Sequence, residues 1–415
     1  MRRLLTAHAP ETCNLEFDGA AVPAHPGDTV ASALIAAGAL MTSRSAKYRR
    51  PRGAYCLLGD CGTCLVRVDG EPNVRACLTT VRDGMRVESQ NSYGDLDPTA
   101  LIDAVFRGGI DHHHMVVYPR VANQMMQGVA RNLTGFGELP DAAPTQAGAC
   151  VRHDPDVLIV GAGPAGTAAA ALLGRAGVTV RLFDRRDGIR VFAAYPHEGV
   201  WAATAAGEPG GAAPTLHLVR PKHVVLALGA HAPTIPLPGN DVPGVVAARG
   251  LRDLLARTGR TPAVPIVVIG EGDEAEAHAQ ALSARLITPA DVVRIVGRRR
   301  VKAVETKSGR VACRLVALAP TPAPAYELAA QAGAAVRWTG AGFAPVCDAD
   351  GRAALRHHDH PLGSDERRED PPWTLWIAGE LRGDCTAAEA PASGRRIAAA
   401  ILTALGRPVP EDSHA

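Results

Sequence analysis

A chain of 415 residues is long enough for two or three domains, each with a core of its own. Lys and Arg number 44 against 42 Asp and Glu, a balance that points to neither nucleic acid nor an anionic membrane as partner. Aromatic residues make up only 4% while Ala, Gly and Pro abound, which favours α/β layers packed through small side chains.

No apolar run approaches the roughly 20 residues of a membrane helix. The opening Met1-Arg-Arg-Leu-Leu-Thr6 has a basic pair but no long apolar core, so no secretory signal is read there. Cys13-Asn-Leu-Glu-Phe-Asp-Gly-Ala-Ala-Val22 alternates about Asp18-Gly19 and predicts a hairpin. Gly27-Asp-Thr29 then opens an apolar helix from Val30 to Gly38, with Asp28 or Thr29 as its N-cap. A cysteine loop follows, and after it a second hairpin pairs Leu65-Val-Arg-Val68 with Asn73-Val-Arg-Ala76. Strand, strand, helix, cysteine loop and hairpin give the order of a β-grasp ferredoxin-like domain, placed at residues 1–95.

Residues 96–153 have no strong period and read as a partly helical surface linker. Val157-Leu-Ile-Val160 opens a βαβ unit of a Rossmann-like domain at 154–248 and 343–408. Ile266-Val-Val-Ile269, after the break Thr261-Pro-Ala-Val-Pro265, opens a second and trimmed one, inserted at 249–342. Leu375-Trp-Ile-Ala378 is the last strand; a helix from about Pro391 to Leu405 and a tail at 409–415 follow. The predicted class is α/β.

Nine cysteines, four of them between residues 56 and 77, suggest metal ligation in a reducing compartment, and hence a cytoplasmic address. Cys56-x4-Cys61-x2-Cys64-x12-Cys77 is the most specific pattern in the chain. Four thiolates hold a two-iron cluster. Gly59 and Gly62 let the backbone curl around such a core, and the hairpin turn Asp69-Gly-Glu-Pro72 brings Cys64 and Cys77 side by side. A zinc site normally pairs two short knuckles, whereas this loop has one x4–x2 run and a lone cysteine. The spacing therefore predicts a 2Fe–2S cluster on Cys56, Cys61, Cys64 and Cys77. Cys13, Cys150, Cys313 and Cys347 read as scattered thiols, with Cys385 the one that lies in sequence near a dinucleotide motif.

Gly161-Ala-Gly163-Pro164-Ala165-Gly166 is a full G-x-G-x-x-G between a strand and an Ala-rich helix. The first glycine makes the tight turn, the second admits a pyrophosphate, and the third packs helix on strand. The helix N-terminus supplies amides for phosphate, and Asp184, ending Val178–Phe183, sits where a carboxylate grips the adenosine ribose. Gly270-Glu-Gly272-Asp-Glu-Ala275 is a weaker copy. Its acids Glu271, Asp273 and Glu274 stand where a pyrophosphate would lie, and no acid-terminated strand follows. This second unit reads as a packing domain, with NAD(P) doubtful. His112 to His114, and His357, His358 and His360, show no recognisable metal spacing and read as surface or structural residues.

These residues resemble a known group. Gly27-Asp-Thr29, Arg44-Ser-Ala-Lys-Tyr-Arg-Arg-Pro-Arg-Gly53 and the cysteine loop are similar to the small iron–sulfur subunits of hydrogen cyanide synthase, opine oxidase and hydroxyproline dehydrogenase. They also resemble the N-terminal domain of the sarcosine oxidase alpha subunit. The flavoprotein half is similar to the large subunits of that group through the glycine motif, through Val224–Gly229 with Pro238–Gly244, and through Ala378-Gly379-Glu380 with Ala387–Ala390 and Gly394-Arg395. The resemblance implies FAD, held by Gly161, Gly163, Pro164, Ala165, Gly166, Asp184, Gly229, Gly379 and Glu380. It further implies an electron-transfer subunit of an amine, amino-acid or opine dehydrogenase or oxidase, acting on CH–NH or CH–NH2 donors. Its partner would be a glycine-oxidase-like flavoprotein, with a further acceptor downstream. The stretch from Asp184 to Val191 is shorter than the group leads one to expect. An autonomous NAD(P)H-dependent reductase and a flavin-free scaffold are the alternatives. No Ser/His/Asp set or carboxylate pair stands out, which favours electron transfer over independent catalysis.

Overall fold

In the computed structural model of the chain, burial alternates along Cys13–Phe17, with Cys13, Leu15 and Phe17 inside and Asn14 and Glu16 outside. Asp18 and Gly19, with φ of 48° and 82°, turn the chain into Ala20–Ala24. Such a two-residue connection has the twist that antiparallel strands require. The structure describes residues 3–7, 13–45, 50–91, 118–134, 148–205, 213–356 and 371–410. They divide into two units, residues 1–143 with 232–321, and residues 144–231 with 322–415. Among the described residues no helix is long and apolar enough to cross a membrane.

The first unit begins with a five-stranded sheet in the order Ala20–Ala24, Cys13–Phe17, Arg86–Ser89, Leu65–Val68, Glu71–Arg75. Cys13–Phe17 and Arg86–Ser89 run parallel, and the other pairs antiparallel. The Val30–Ala37 helix buries every residue from Val30 to Ala36. Thr29 caps it: its Oγ1 accepts from Ser32 N–H at 3.2 Å, while Ser32 Oγ accepts from Thr29 N–H at 2.8 Å. This reciprocal arrangement satisfies two amides that a helix start otherwise leaves open.

The rest of the unit is a parallel sheet, Val245–Ala247, Leu315–Ala319, Ile266–Gly270 and Arg285–Ile287 in that order, with helices Ala248–Thr258 and Asp273–Ala281. An antiparallel meander, Val292–Gly297, Val301–Thr306 and Gly309–Ala312, belongs with it. This insert and the ferredoxin-like part share one apolar core, in which Leu34, Leu57 and Val81 join Leu251, Leu254, Ile266 and Leu315. Strand Leu5–Ala7 pairs antiparallel with Arg260–Pro262 of the insert.

The second unit is built on a parallel sheet in the order Val180–Phe183, Val157–Val160, His223–Leu226, Thr374–Ile377. Val157 and Ile159 face helices Pro164–Arg175 and Ala390–Ala404 through Ala169, Leu173, Ile397 and Ile401. Leu158 and Val160 face the opposite layer with Trp201, Val219 and Trp373. Burial on both faces explains why Val157–Val160 is an unbroken apolar run. A second sheet has the order Ile189–Tyr195, Val200–Ala205, Thr215–Val219, Cys150–His153. Its edge strand, parallel to Thr215–Val219, comes from the end of the segment read as linker.

Candidate functional site

The cysteine loop is shaped by its backbone. Leu57 and Gly59 take φ of 59° and 86°, and the curl they make aims three amides at one sulfur. The N–H groups of Leu58, Asp60 and Cys61 lie 3.5, 3.2 and 3.4 Å from Cys56 Sγ, and the Cys56 N–H lies 3.4 Å from Cys61 Sγ. The second hairpin supplies the other two sulfurs. Leu65 pairs with Arg75, Ala76 N–H donates to the Cys64 carbonyl at 3.1 Å, and the Sγ atoms of Cys64 and Cys77 come to 3.4 Å. The turn is Asp69-Gly70 (φ 47° and 84°), two residues tighter than the sequence suggested, because Glu71 already pairs with Val68.

The Cys61 and Cys77 side chains also act on Cys56, so the loop and the hairpin bring their cysteines into one neighbourhood. Bonds from the Cys61 and Cys77 thiols, and then from the loop amides, hold Cys56 far below the ordinary thiol value. Cys64 is lowered chiefly by its contact with Cys77, while Cys61 and Cys77 are pushed up by their contacts with neighbouring cysteines and by burial. Iron binds thiolates, so loading these cysteines would release their protons. Amide donors on the sulfurs favour the extra negative charge of a reduced cluster. The donor set fits a two-iron cluster. Cys56, Cys64 and Cys77 are buried and Cys61 is exposed.

In the second unit, Gly166 packs so closely that a Cβ would overlap the Gly161 carbonyl oxygen, whereas a Cβ on Gly163 would meet nothing within 4 Å. Gly163 is the N-cap of helix Pro164–Arg175, no side chain caps that end, and Pro164 lies in its first turn. Open space and uncapped amides at one helix start are what a pyrophosphate needs. Asp184 accepts from Ala162 N–H at 2.6 Å through Oδ2 and from Arg186 N–H at 2.7 Å through Oδ1. Each oxygen keeps a lone pair for a further donor. A Cβ on Gly379 would lie 3.1 Å from the Ala165 Cβ, and one on Gly229 would lie 3.8 Å from Glu380 Oε2. The structure therefore brings all nine residues together around the glycine loop. The chain passes from Asp184 through the short turn Arg185–Asp187 directly into strand Ile189–Tyr195. The residues fit the dinucleotide end of FAD.

The weaker copy differs in chemistry. Ala275 is buried and touches the space of Gly270, taking the packing place of a third glycine. Burial alone would raise the Glu274 carboxyl, but His278 and Arg249 bring it down to about 2; Arg249 Nη2 lies 2.7 Å from Glu274 Oε1. Strand Arg285–Ile287 ends at Thr288, which bonds Asp291. The histidines at 112–114, 357, 358 and 360 lie outside the described residues. Cys385 is half-buried, with its thiol raised by burial.

Sequence reasoning missed four residues. Asp28, considered only as a cap, is fully buried against Arg260. Tyr55 donates its hydroxyl to the Pro233 carbonyl at 2.7 Å. Gly250, in the Ala248–Thr258 helix, lies against Cys56. A glycine one turn into an otherwise good helix was the available signal. Ser393, whose Oγ accepts from Gly379 N–H at 3.0 Å, had none.

Comparison with known proteins agrees with both sites. A 2Fe-2S iron-sulfur cluster binding domain matches residues 11–92, and an FAD binding domain matches residues 154–192. The sarcosine oxidase subunit alpha of Rhizobium meliloti is 30% identical over 348 residues, covering 70% of this chain and 34% of that protein. This chain thus spans about a third of the length of that relative. Hydrogen cyanide synthase subunit HcnA of Pseudomonas aeruginosa is 41% identical over 81 residues, covering 20% of this chain and 77% of HcnA. Among solved structures, the L-proline dehydrogenase from P. horikoshii shares the fold with a TM-score of 0.67 at 18% identity, over 99% of this chain and 77% of that one.

Proposed function

The chain belongs to the family of oxidoreductase subunits that includes sarcosine oxidase subunit alpha and, through its 2Fe–2S domain, HcnA, and from that premise we propose that it relays electrons from a partner. That partner is a glycine-oxidase-like flavoprotein subunit that oxidises a C–N bond in an amine, amino acid or opine. The chain carries a 2Fe–2S cluster and FAD. In this reading Cys56, Cys61, Cys64 and Cys77 ligate the irons, and the amides of Leu58, Asp60 and Cys61 offset charge on Cys56. Gly163 and the first turn after it take the FAD pyrophosphate, Asp184 takes the adenosine ribose, and Gly379 and Glu380 lie along the ribityl chain. FAD, which exchanges electrons singly or in pairs, supplies the junction between a two-electron donor and a one-electron cluster.

The observation that carries the proposal is the Cys56 sulfur with three loop amides aimed at it, together with the paired sulfurs of Cys64 and Cys77 on the adjoining hairpin. Against NAD(P)H as electron source stands Glu274, ionised and tied to Arg249 where a second nucleotide would place its phosphates. The test is the visible spectrum and acid-released flavin of anaerobically purified protein, followed by an amine in the presence and absence of the co-expressed partner. Cluster absorption, about one FAD per chain and bleaching that needs the partner are expected. Cluster bands without flavin would leave the second unit a scaffold. Bleaching by NADH alone would replace the relay with an autonomous reductase.

A further inference from the structure

We propose that Gly250 is a positioning residue for the iron–sulfur loop, and that the nucleotide-like insert is the clamp that fixes the cluster's surroundings. This rests on the cluster reading above and adds to it a role for the insert. Glycine is the poorest helix former after proline, yet it stands in the first turn of Ala248–Thr258. The structure supplies the reason. A Cβ on Gly250 would overlap the carbonyl oxygen of Cys56 and approach the Leu57 Cβ to 3.1 Å. The helix therefore touches the backbone at the first cluster cysteine, next to the positive φ of Leu57 that aims the amides at Cys56 Sγ.

Neighbouring bonds hold this contact in register. Ala247 N–H donates to the Tyr55 carbonyl at 2.8 Å, and the Tyr55 hydroxyl donates to the Pro233 carbonyl. Arg260, just past the other end of the same helix, grips Asp28 of the ferredoxin-like part through two bonds. The side chain of Arg249 points to Glu274, so the ion pair that occupies the old phosphate position also braces the start of the clamping helix. A methyl at position 250 pushes on the Cys56 carbonyl and rotates the Cys56–Leu57 peptide. That rotation lengthens the N–H···S bonds, which stabilise the reduced cluster more than the oxidised one. The midpoint potential should fall.

The test compares Gly250→Ala with Ala256→Gly in the full chain, purified anaerobically with its cofactors. Ala256 is exposed on the same helix, so its change weakens the helix without touching the loop. For Gly250→Ala we expect a more negative cluster potential and an altered electron paramagnetic resonance spectrum of the reduced protein. Cluster loss to a chelator should be faster by about tenfold, in keeping with a methyl forced into a packed site. Ala256→Gly should leave potential and spectrum as they are. Should Gly250→Ala fail to fold, Tyr55→Phe, which removes only the hydroxyl bond to Pro233, should move both readouts in the same direction by less. A folded Gly250→Ala, or failing that Tyr55→Phe, with wild-type potential and spectrum overturns the inference and leaves the cluster reading intact. A wild-type protein without a 2Fe–2S signal overturns the cluster reading itself.

Discussion

Replacing Arg260 with Met should loosen the core that the ferredoxin-like part shares with the insert. Both members of the Asp28–Arg260 pair have fully buried side chains. Arg260 donates from Nη2 to Oδ2 at 2.6 Å and from Nε to Oδ1 at 3.1 Å, and Asp28 also accepts from Ser32 Oγ at 2.8 Å and His25 N–H at 3.0 Å. Burial pushes the Asp28 carboxyl up, yet these four donors bring it below its ordinary value. Arg260→Met keeps an apolar stem and strands the carboxylate with two donors. Removing one side of a buried pair costs about 3–5 kcal/mol, a large share of the roughly 5–15 kcal/mol that holds a domain folded. Hydrogen exchange followed by mass spectrometry reads this locally. Peptides covering Val30–Ala37 and Arg260–Pro262 should exchange about 150- to 5000-fold faster, at one decade per ~1.4 kcal/mol. Adding Asp28→Asn should cost less than the sum of the single changes by about 2 kcal/mol, since the second change removes the stranded charge. Because the folded-state pKa is depressed, the contribution is present above an unfolded value near 3.9 and is lost as pH falls through the folded one. The difference should therefore be constant around neutrality. Acceleration below about fivefold (~1 kcal/mol), or additive single and double variants, would refute the reasoning.

Other consequences can be measured separately. Gly163→Ala should keep the unfolding midpoint of the flavin-free protein, because its Cβ would meet nothing, but retain less FAD on purification. Gly394→Ala, whose Cβ would overlap the Ala165 carbonyl oxygen, should lose flavin and about 1–3 kcal/mol of stability together. Cys61→Ser and Cys77→Ala should abolish the cluster bands. Cys313→Ala should keep them, since that thiol, raised to about 11 by burial, lies outside the four-sulfur set. His153 and His217 share a 3.0 Å bond, and burial and then Arg181 depress both, while burial also depresses His223. A depressed histidine disfavours protonation in the folded state, so stability should fall as pH drops below about 6.5. All four tryptophans, Trp201, Trp338, Trp373 and Trp376, lie in that unit. Their fluorescence should show a denaturation midpoint that declines toward acid pH, and declines less in His153→Gln/His217→Gln; a flat wild-type profile would count against it.

Much of this was legible locally. Alternation about Asp18-Gly19 gave the first hairpin, and the run after Gly27 gave the capped helix. The cysteine spacing was enough to place the four thiols on one loop and one hairpin, because nearby turns fix both. The glycine motif, Asp184 and Gly379-Glu380 converge because the parallel strands of a doubly wound sheet all deliver their carboxyl ends to one edge. What stayed hidden were partners distant in sequence. Neither Arg260 nor Gly250 belongs to any local pattern that names Asp28 or Cys56. The insert could be read as a poor nucleotide site, but nothing in its own residues states which surface it covers. Cys150–His153 is too short for a period to reveal, and only its neighbour Thr215–Val219 makes it a strand.

Asp28 and Arg260 are 232 positions apart, and that separation bears on how the chain is made and how its gene can change. On the ribosome, all the strands that present the cysteines exist by Ser89, while the residues that close the core over them, Leu251 to Leu315, emerge much later. The four cysteines are thus translated early, and the core around Cys64 and Cys77 is completed late. The same arithmetic constrains gene fission. A free-standing cluster protein cut after Ser89 would keep only Ser32 Oγ and His25 N–H as donors to Asp28, and would expose the apolar surface that Leu251 to Leu315 cover here.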